Sequence, residues 1–189
     1  MTHCQVQPWR LREAARVIHS GGILAYPTEA VYGLGCDPLD GDAVQRLLTL
    51  KVRPASKGLI LIAADFNQLR PFIGQLEAPL MQRVLNSWPG PNTWILPAAE
   101  YLPDWLTGSH DSLAVRVTDH PVAAALCRSC DSPLVSTSAN PSGYRPARTA
   151  LTVRRFFPAG VDLIISGPLG AEGRPTRIRN ATNGRLVRA

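Results

Sequence analysis

Two lysines occur in the chain, and both lie in one stretch, Lys51-Val-Arg-Pro-Ala-Ser-Lys57. An ammonium is a compact point charge on a flexible stem, suited to a phosphate oxygen or a carboxylate, whereas a guanidinium is a planar fork. Two ammoniums bracketing Arg53-Pro54, just ahead of a very apolar run, read as a cationic anion-binding loop. A solvated helix end with chance lysines is the plain alternative. Two further segments carry neutral polar groups. Pro27-Thr-Glu-Ala-Val-Tyr-Gly-Leu-Gly35 offers a hydroxyl, a carboxylate and two glycines whose backbone can approach a ligand closely, or else a plain strand-to-helix connection. Ser136-Thr-Ser-Ala-Asn140, read as a loop after a short strand, offers hydroxyls and an amide that recognise phosphate or magnesium-bound oxygens without adding charge. In extended backbone, Ser138 and Asn140 face the same way. A turn that satisfies its own backbone is the competing reading. Neither a GxxxxGKS/T loop nor a GxGxxG fingerprint is present.

The elements that must position these groups alternate between strand-like and helix-like, as in a layered α/β or α+β fold. Trp9 to His19 has helical spacing closed by Gly21-Gly22, and Ile23 to Tyr26 is a short buried strand. Asp40 or Asp42 caps a helix ending near Lys51, because Arg53 precedes a proline. Gly58 to Ala63 is apolar on both faces and therefore a central strand. Helical patterns over 65–72 and 78–88 lead through the rigid turn Trp88-Pro-Gly-Pro91 to a strand at Thr93 to Leu96. Ser112 to Val117 alternates as a strand, with Arg116 on one side. Asp119-His-Pro121 starts a helix, where a cap precedes an early proline. Pro133 to Val135 is a strand, Thr149 to Phe157 a last helix, and Asp162 to Ile165 a last strand. In open α/β sheets, ligands sit beyond strand ends, and Thr28, Lys51 to Lys57, Arg116 and Ser136 to Asn140 all fall there.

The chain has 189 residues, 45% hydrophobic and 18% charged, enough for one sizeable core and one domain over 1–189. Its longest apolar run is too short for a bilayer, and the first ten residues lack a signal-peptide core, so a cytoplasmic location without membrane contact is expected. A net charge of +6 favours a polyanionic partner. Four cysteines occur, but Cys127-Arg-Ser-Cys130 has no second pair or spaced histidines, and buried free thiols are the better reading. The arginine-rich segment Arg174 to Arg188 reads as a solvated face. His120 is better explained as a helix-start residue than as part of a catalytic triad.

Tyr26-Pro-Thr-Glu29 with Gly33-Leu-Gly35, Lys51-x-Arg53-Pro54, Trp88-Pro-Gly-Pro91 with Thr93, Ala114-Val-Arg-Val117 with Asp119-His-Pro121, and Ser138-Ala-Asn140 with Ser142-Gly143 resemble the YrdC/TsaC family in order and spacing. Its members are L-threonylcarbamoyladenylate synthases that act in making threonylcarbamoyladenosine in tRNA, and the length resembles the short single-domain form. The resemblance implies a YrdC/RibB-like fold: a twisted mixed sheet flanked by helices around a positively charged cavity. It implies a nucleotidyltransferase that joins L-threonine, bicarbonate or CO₂, and ATP with Mg²⁺ into threonylcarbamoyl-AMP and pyrophosphate. The product would pass to a tRNA-modifying transferase complex.

By the same resemblance, Lys51 and Arg53 are the catalytic pair and, with Ser138, Asn140 and Arg148, hold the nucleotide. Thr28, Arg116, Lys57, Ser136 and Thr176 are the threonine-binding set. The run Arg174-Pro-Thr-Arg-Ile178 departs from the serine-threonine-isoleucine type of segment expected near the ligand. No side-chain metal ligand set is implied. Two rivals remain: a module that binds structured RNA (tRNA, rRNA or double-stranded RNA) without ATP chemistry, and the carbamoyl-adenylate chemistry of hydrogenase maturation. The latter belongs to much longer chains with zinc-finger-like cysteines.

Overall fold

Apolar residues alternating along short strands build one mixed sheet with helices against both faces. The structure, a computed structural model, describes residues 6–173 and 176–188. Cys4 and the rest of Met1–Gln5, together with Arg174 and Pro175 of the arginine-rich segment, lie outside the described residues. In chain order the elements are α1 (Pro8–His19), β1 (Leu24–Pro27), β2 (Tyr32–Gly35), α2 (Gly41–Lys51), β3 (Ile60–Ala63), α3 (Phe66–Leu69), α4 (Ala78–Leu85), β4 (Asn92–Pro97), α5 (Asp104–Thr107), β5 (Ser112–Val117), α6 (Pro121–Cys130), β6 (Leu134–Ser138), α7 (Ala150–Phe156), β7 (Leu163–Ile164), β8 (Arg177–Asn180) and β9 (Leu186–Arg188), with short 3₁₀ turns at Ala55–Lys57 and Arg70–Phe72.

The strand order is β7-β1-β2-β6-β3-β5-β4-β8-β9. β3 pairs parallel with β5 and antiparallel with β6, which makes it the central strand that its unbroken apolar character requires. Successive residues of a strand feed opposite layers. Leu24, Tyr26 and Ile62 pack with Ala14 and Ile18 of α1 and with Val122, Leu126 and Cys127 of α6. Ala25, Leu61 and Ala63 pack with Val44, Leu47 and Leu48 of α2 and with Val153 of α7.

Most helix boundaries follow local chemistry. Asp40 accepts the Ala43 N–H at 2.9 Å and caps α2, and Thr149 does the same for α7. His120 occupies the cap of α6 with Pro121 in the first turn, the helix-start role expected of it. Cys36, Cys127 and Cys130 are free and buried. Burial comes first in pushing the Cys36 and Cys127 thiols up to about 12 and the Cys130 thiol to about 11.

Three expectations need correction. Tyr32-Gly-Leu-Gly35 is a strand, not a connection: it returns antiparallel on β1, with Gly33 opposite Tyr26 and Gly35 opposite Leu24. The glycines are there for close packing, since a Cβ on Gly35 would come within 2.4 Å of the Val135 carbonyl. Ser136-Thr-Ser138 is also strand, extending β6 past the apolar residues that mark it in sequence. Third, the arginine-rich tail is partly built into the sheet, because Arg177-Ile-Arg-Asn180 pairs parallel with β4 and Leu186–Arg188 forms the edge.

Candidate functional site

The end of α2 sets the first two cations. Helix α2 finishes in a Schellman-type turn in which Arg53 N–H reaches the Leu48 carbonyl at 3.0 Å and Val52 N–H that of Thr49 at 3.0 Å. Such a turn needs a left-handed residue, and here it is Val52, at φ 50° and 76% exposed. A β-branched residue in that conformation costs about 1–2 kcal/mol. The turn sends the residues on either side of Val52 toward the same strand ends. Lys51 is 5% exposed, and its ammonium donates to the carbonyls of Ser138 and Asn140, the latter at 2.8 Å. Burial first, and Arg53 second, lower its pKa to about 8. Arg53 donates to the Gly58 carbonyl at 2.8 Å, its buried Nε has no hydrogen-bond partner among the described residues, and burial lowers its pKa.

The β1–β2 turn supplies the next groups. Thr28 donates its hydroxyl to the Val31 carbonyl at 2.7 Å, leaving its oxygen lone pairs free to accept. Glu29 is buried beside it. On β6, Ser136 and Ser138 are two residues apart and share a face. Arg116 on β5 is 5% exposed, and its Nη1 donates to Thr176 Oγ1 at 2.6 Å and to Thr93 Oγ1 at 3.4 Å. Its Nη2 lies 3.2 Å from Glu29 Oε2; neither that buried oxygen nor the buried Nε of Arg116 has a hydrogen-bond partner among the described residues.

These side chains border one cavity of about 260 Å³, lined by Thr28, Tyr32, Gly33, Arg53, Arg116, Ser136, Ser138, Thr176 and Arg188, among others. Gly33 keeps it open, since a Cβ there would sit 3.3–3.4 Å from Thr28, Ser136 and Tyr26. Of the expected residues, Thr28, Arg53, Arg116, Ser136, Ser138 and Thr176 therefore converge. Lys51 and Asn140 stand behind this lining. Asn140 does not extend alongside Ser138: the chain bends there, and the amide donates to Pro141 and Tyr144 carbonyls, leaving its buried Oδ1 without a partner among the described residues. The self-satisfying turn is thus the form its NH₂ takes. Arg148 donates to the carbonyl of Ala30, a lining residue, at 3.1 Å. Lys57 is exposed at the end of a 3₁₀ turn and does not border the cavity.

Three participants were missed in sequence. Arg188 was read as part of a solvated face. The residue is exposed at the sheet edge, but its guanidinium lines the cavity and donates to the Thr176 carbonyl at 3.1 Å. Burial, followed by repulsion from Arg116 and Arg53, lowers its pKa. Glu29 and Thr93 hold Arg116, and only the carboxylate of Glu29 in a buried segment could have signalled this. Among the described residues, no group of three or more His, Cys, Asp or Glu could by itself hold a metal ion.

A cavity bordered by three guanidiniums and several hydroxyls, with an ammonium bonded to the backbone of Ser138, can bind an anion that also needs neutral hydrogen-bonding groups. A family model described as "Telomere recombination", covering the Sua5, YciO and YrdC proteins, matches residues 16–189. The chain belongs to the Sua5/YciO/YrdC family. Among its relatives, the threonylcarbamoyl-AMP synthase of Halorhodospira halophila is 53% identical over 182 residues, covering 96% of this chain and 95% of that protein. The synthase of Alkalilimnicola ehrlichii is 55% identical over 184 residues, covering 96% of each. The crystal structure of P. abyssi Sua5 complexed with L-threonine superimposes with a TM-score of 0.91 at 34% identity over 97% of this chain, which spans 55% of that longer protein. The Sua5/YciO/YrdC fold is thus the mixed α/β sheet expected from the motifs.

Proposed function

We propose that this protein is an L-threonylcarbamoyl-AMP synthase, a nucleotidyltransferase that forms threonylcarbamoyl-AMP and pyrophosphate from L-threonine, bicarbonate or CO₂, and ATP. The observation that carries the reading is the meeting of Thr28, Arg53, Arg116, Ser136, Ser138 and Thr176 around one cavity, in a chain about half identical to proteins of that name.

Arg116 takes the carboxylate of the amino acid, with Thr28, Ser136 and Thr176 about it. Arg53 and Arg188 neutralise the phosphates, Ser138 donates to them, and Arg148 reaches the nucleotide from the rim. Lys51 works from beneath, holding the backbone of Ser138 and Asn140 while adding positive charge. Lys57 has no contact that supports a direct role. The threonine amine captures CO₂ as a carbamate, and a carbamate oxygen attacks the α-phosphorus as pyrophosphate leaves. Such chemistry needs positioning and charge neutralisation more than covalent help.

Mg²⁺, an oxygen-seeking cation, would be held chiefly by the triphosphate and would offset its charge. The cavity hydroxyls, Ser138 foremost, and the unpartnered Asn140 Oδ1 are the neutral oxygens that suit its shell. The product would pass to a transferase that modifies tRNA. We read 1–189 as one domain working in the cytoplasm. Pure protein incubated with ATP, Mg²⁺, bicarbonate and each amino acid in turn should release pyrophosphate selectively with threonine. Release that is independent of the amino acid, or none, refutes the assignment.

A further inference from the structure

The three arginines that border the cavity are not electrostatically equivalent. Arg116 has a carboxylate, Glu29, whose Oε2 lies 3.2 Å from Nη2 and whose residue is 3% exposed. The other oxygen of Glu29 accepts the Thr118 hydroxyl at 2.5 Å, and that hydroxyl oxygen accepts the His120 N–H at 3.2 Å. The backbone of Glu29 is fixed as well. Its carbonyl accepts the Glu172 N–H at 3.1 Å, and Gly170 packs so tightly that a Cβ there would lie 2.8 Å from Glu29 Cα. The carboxylate is thus fixed beside the guanidinium through Oε1 and its backbone, while Oε2 faces Arg116 at ion-pair distance without a hydrogen-bond partner among the described residues. Neither Arg53 nor Arg188 has a carboxylate within ion-pair reach among the described residues; each donates to a backbone carbonyl instead.

We propose that Glu29 is a specificity-determining positioning residue, which orients and charge-compensates Arg116 so that this corner of the cavity accepts an amino-acid carboxylate and bars a phosphate. The proposal rests on the reading above, in which one cavity takes an amino acid and a triphosphate. A phosphate group carries up to two negative charges and gains most from uncompensated guanidiniums. Beside Glu29 it would meet a like charge at short range in a site of low dielectric, where repulsion is strong. A zwitterionic amino acid has no net charge, so the field of Glu29 costs it little and favours its ammonium end. Arg53 and Arg188, without such a carboxylate among the described residues, keep their charge for the polyanion. Glu29 does not itself border the cavity, and its influence passes through Arg116. The partition comes from one carboxylate placed beside one of three like cations.

The test compares the native protein with Glu29→Gln, a near-isosteric change whose carbonyl can still accept from Thr118. Binding of L-threonine and of inorganic phosphate is followed by calorimetry, and turnover by pyrophosphate release. In Glu29→Gln, the dissociation constant and KM for threonine should rise roughly tenfold, the order of one lost charge-assisted contact. Phosphate should then compete with threonine, whereas in the native protein it should not. The KM for ATP, and kcat at saturating threonine, should stay within about threefold. Thr118→Val keeps the charge but removes its tether, so threonine binding should weaken without admitting phosphate. A folded Glu29→Gln protein with native threonine affinity and no phosphate competition overturns the proposal. Should that variant fail to fold, Thr118→Val decides, and native threonine affinity in it is equally fatal. If the native protein binds ATP but no threonine, the amino-acid reading falls and takes this proposal with it. If it binds threonine and both variants match it, this proposal alone falls.

Discussion

Lys51 is where stability and activity should come apart. Lys51→Met keeps most of the stem and removes the ammonium that donates to the carbonyls of Ser138 and Asn140. Two bonds from a charged donor are worth about 1.5–3 kcal/mol each. Against them stands the cost of a charge in that position. The pKa falls from 10.5 to about 8, chiefly through burial, a penalty of at most about 3–4 kcal/mol, and less where water reaches the ammonium. These terms largely offset, so the variant should unfold within about 3 kcal/mol of the native protein in urea. Pyrophosphate release should fall by about two orders of magnitude or more, equivalent to about 3 kcal/mol of transition-state stabilisation.

The pH dependence separates the two roles further. With its folded pKa lowered, Lys51 holds fewer protons than the unfolded chain between about pH 8 and 10.5. Its contribution therefore makes stability rise with pH across that window, and Lys51→Met lacks the rise. Activity moves the other way, because kcat/KM for ATP reports the free enzyme and should decline as the ammonium deprotonates near pH 8. A folded Lys51→Met protein with near-native turnover, or a native profile flat from about pH 7 to 10, refutes the reasoning.

Gly35→Ala should destabilise by about 2–3 kcal/mol, seen as a Tm lowered by several degrees, because its Cβ meets the Val135 carbonyl and the Tyr26 hydroxyl rather than a mobile side chain. Val52→Gly relieves the left-handed strain at an exposed site and should raise stability by about 1 kcal/mol, with activity unchanged if the turn alone aims Lys51 and Arg53. An unchanged or lower Tm would show that the strain is absent. Cys36, Cys127 and Cys130, buried and with thiol pKa values pushed up, should resist iodoacetamide at pH 8 until denaturant is added, as read by peptide mass spectrometry.

What could be read in advance follows from how local each cause is. Asp40 caps α2, Pro121 opens α6, and the double-faced apolar run of β3 marks a central strand, because each signal acts within a few residues. β2 escaped because Tyr-Gly-Leu-Gly carries glycines for contact with β1 and β6, and those contacts lie far away in sequence. Asn140 was placed on the ligand side by period-2 reasoning, which fails once the chain bends after Ser138. Lys51 looked like a group exposed to ligand, whereas its ammonium bonds to carbonyls at and just past the end of β6, more than eighty residues on. Arg188 was invisible for the same reason: only the pairing of β9 with β8 and of β8 with β4 turns it toward Thr176.

The arrangement of cations also explains why the site is costly to build. Burial lowers the pKa of Arg53, and burial together with Arg116 and Arg53 lowers that of Arg188. Like charges are therefore gathered where solvent screens them poorly, and one neighbouring carboxylate cannot neutralise them all. The sheet and its two helical layers supply the stability that tolerates this, through Leu24, Tyr26 and Ile62 on one face and Leu61, Val115 and Val135 on the other. A polyanion removes the repulsion and adds charge-assisted bonds, so binding it must stabilise the fold by RT ln(1 + [L]/Kd). At equal concentration, ATP or pyrophosphate should accordingly raise the Tm more than threonine does, because relief of the repulsion lowers its Kd. The increment should shrink in Arg53→Ala and Arg188→Ala and survive in Glu29→Gln, because the repulsion is stored in the arginines that have no carboxylate partner.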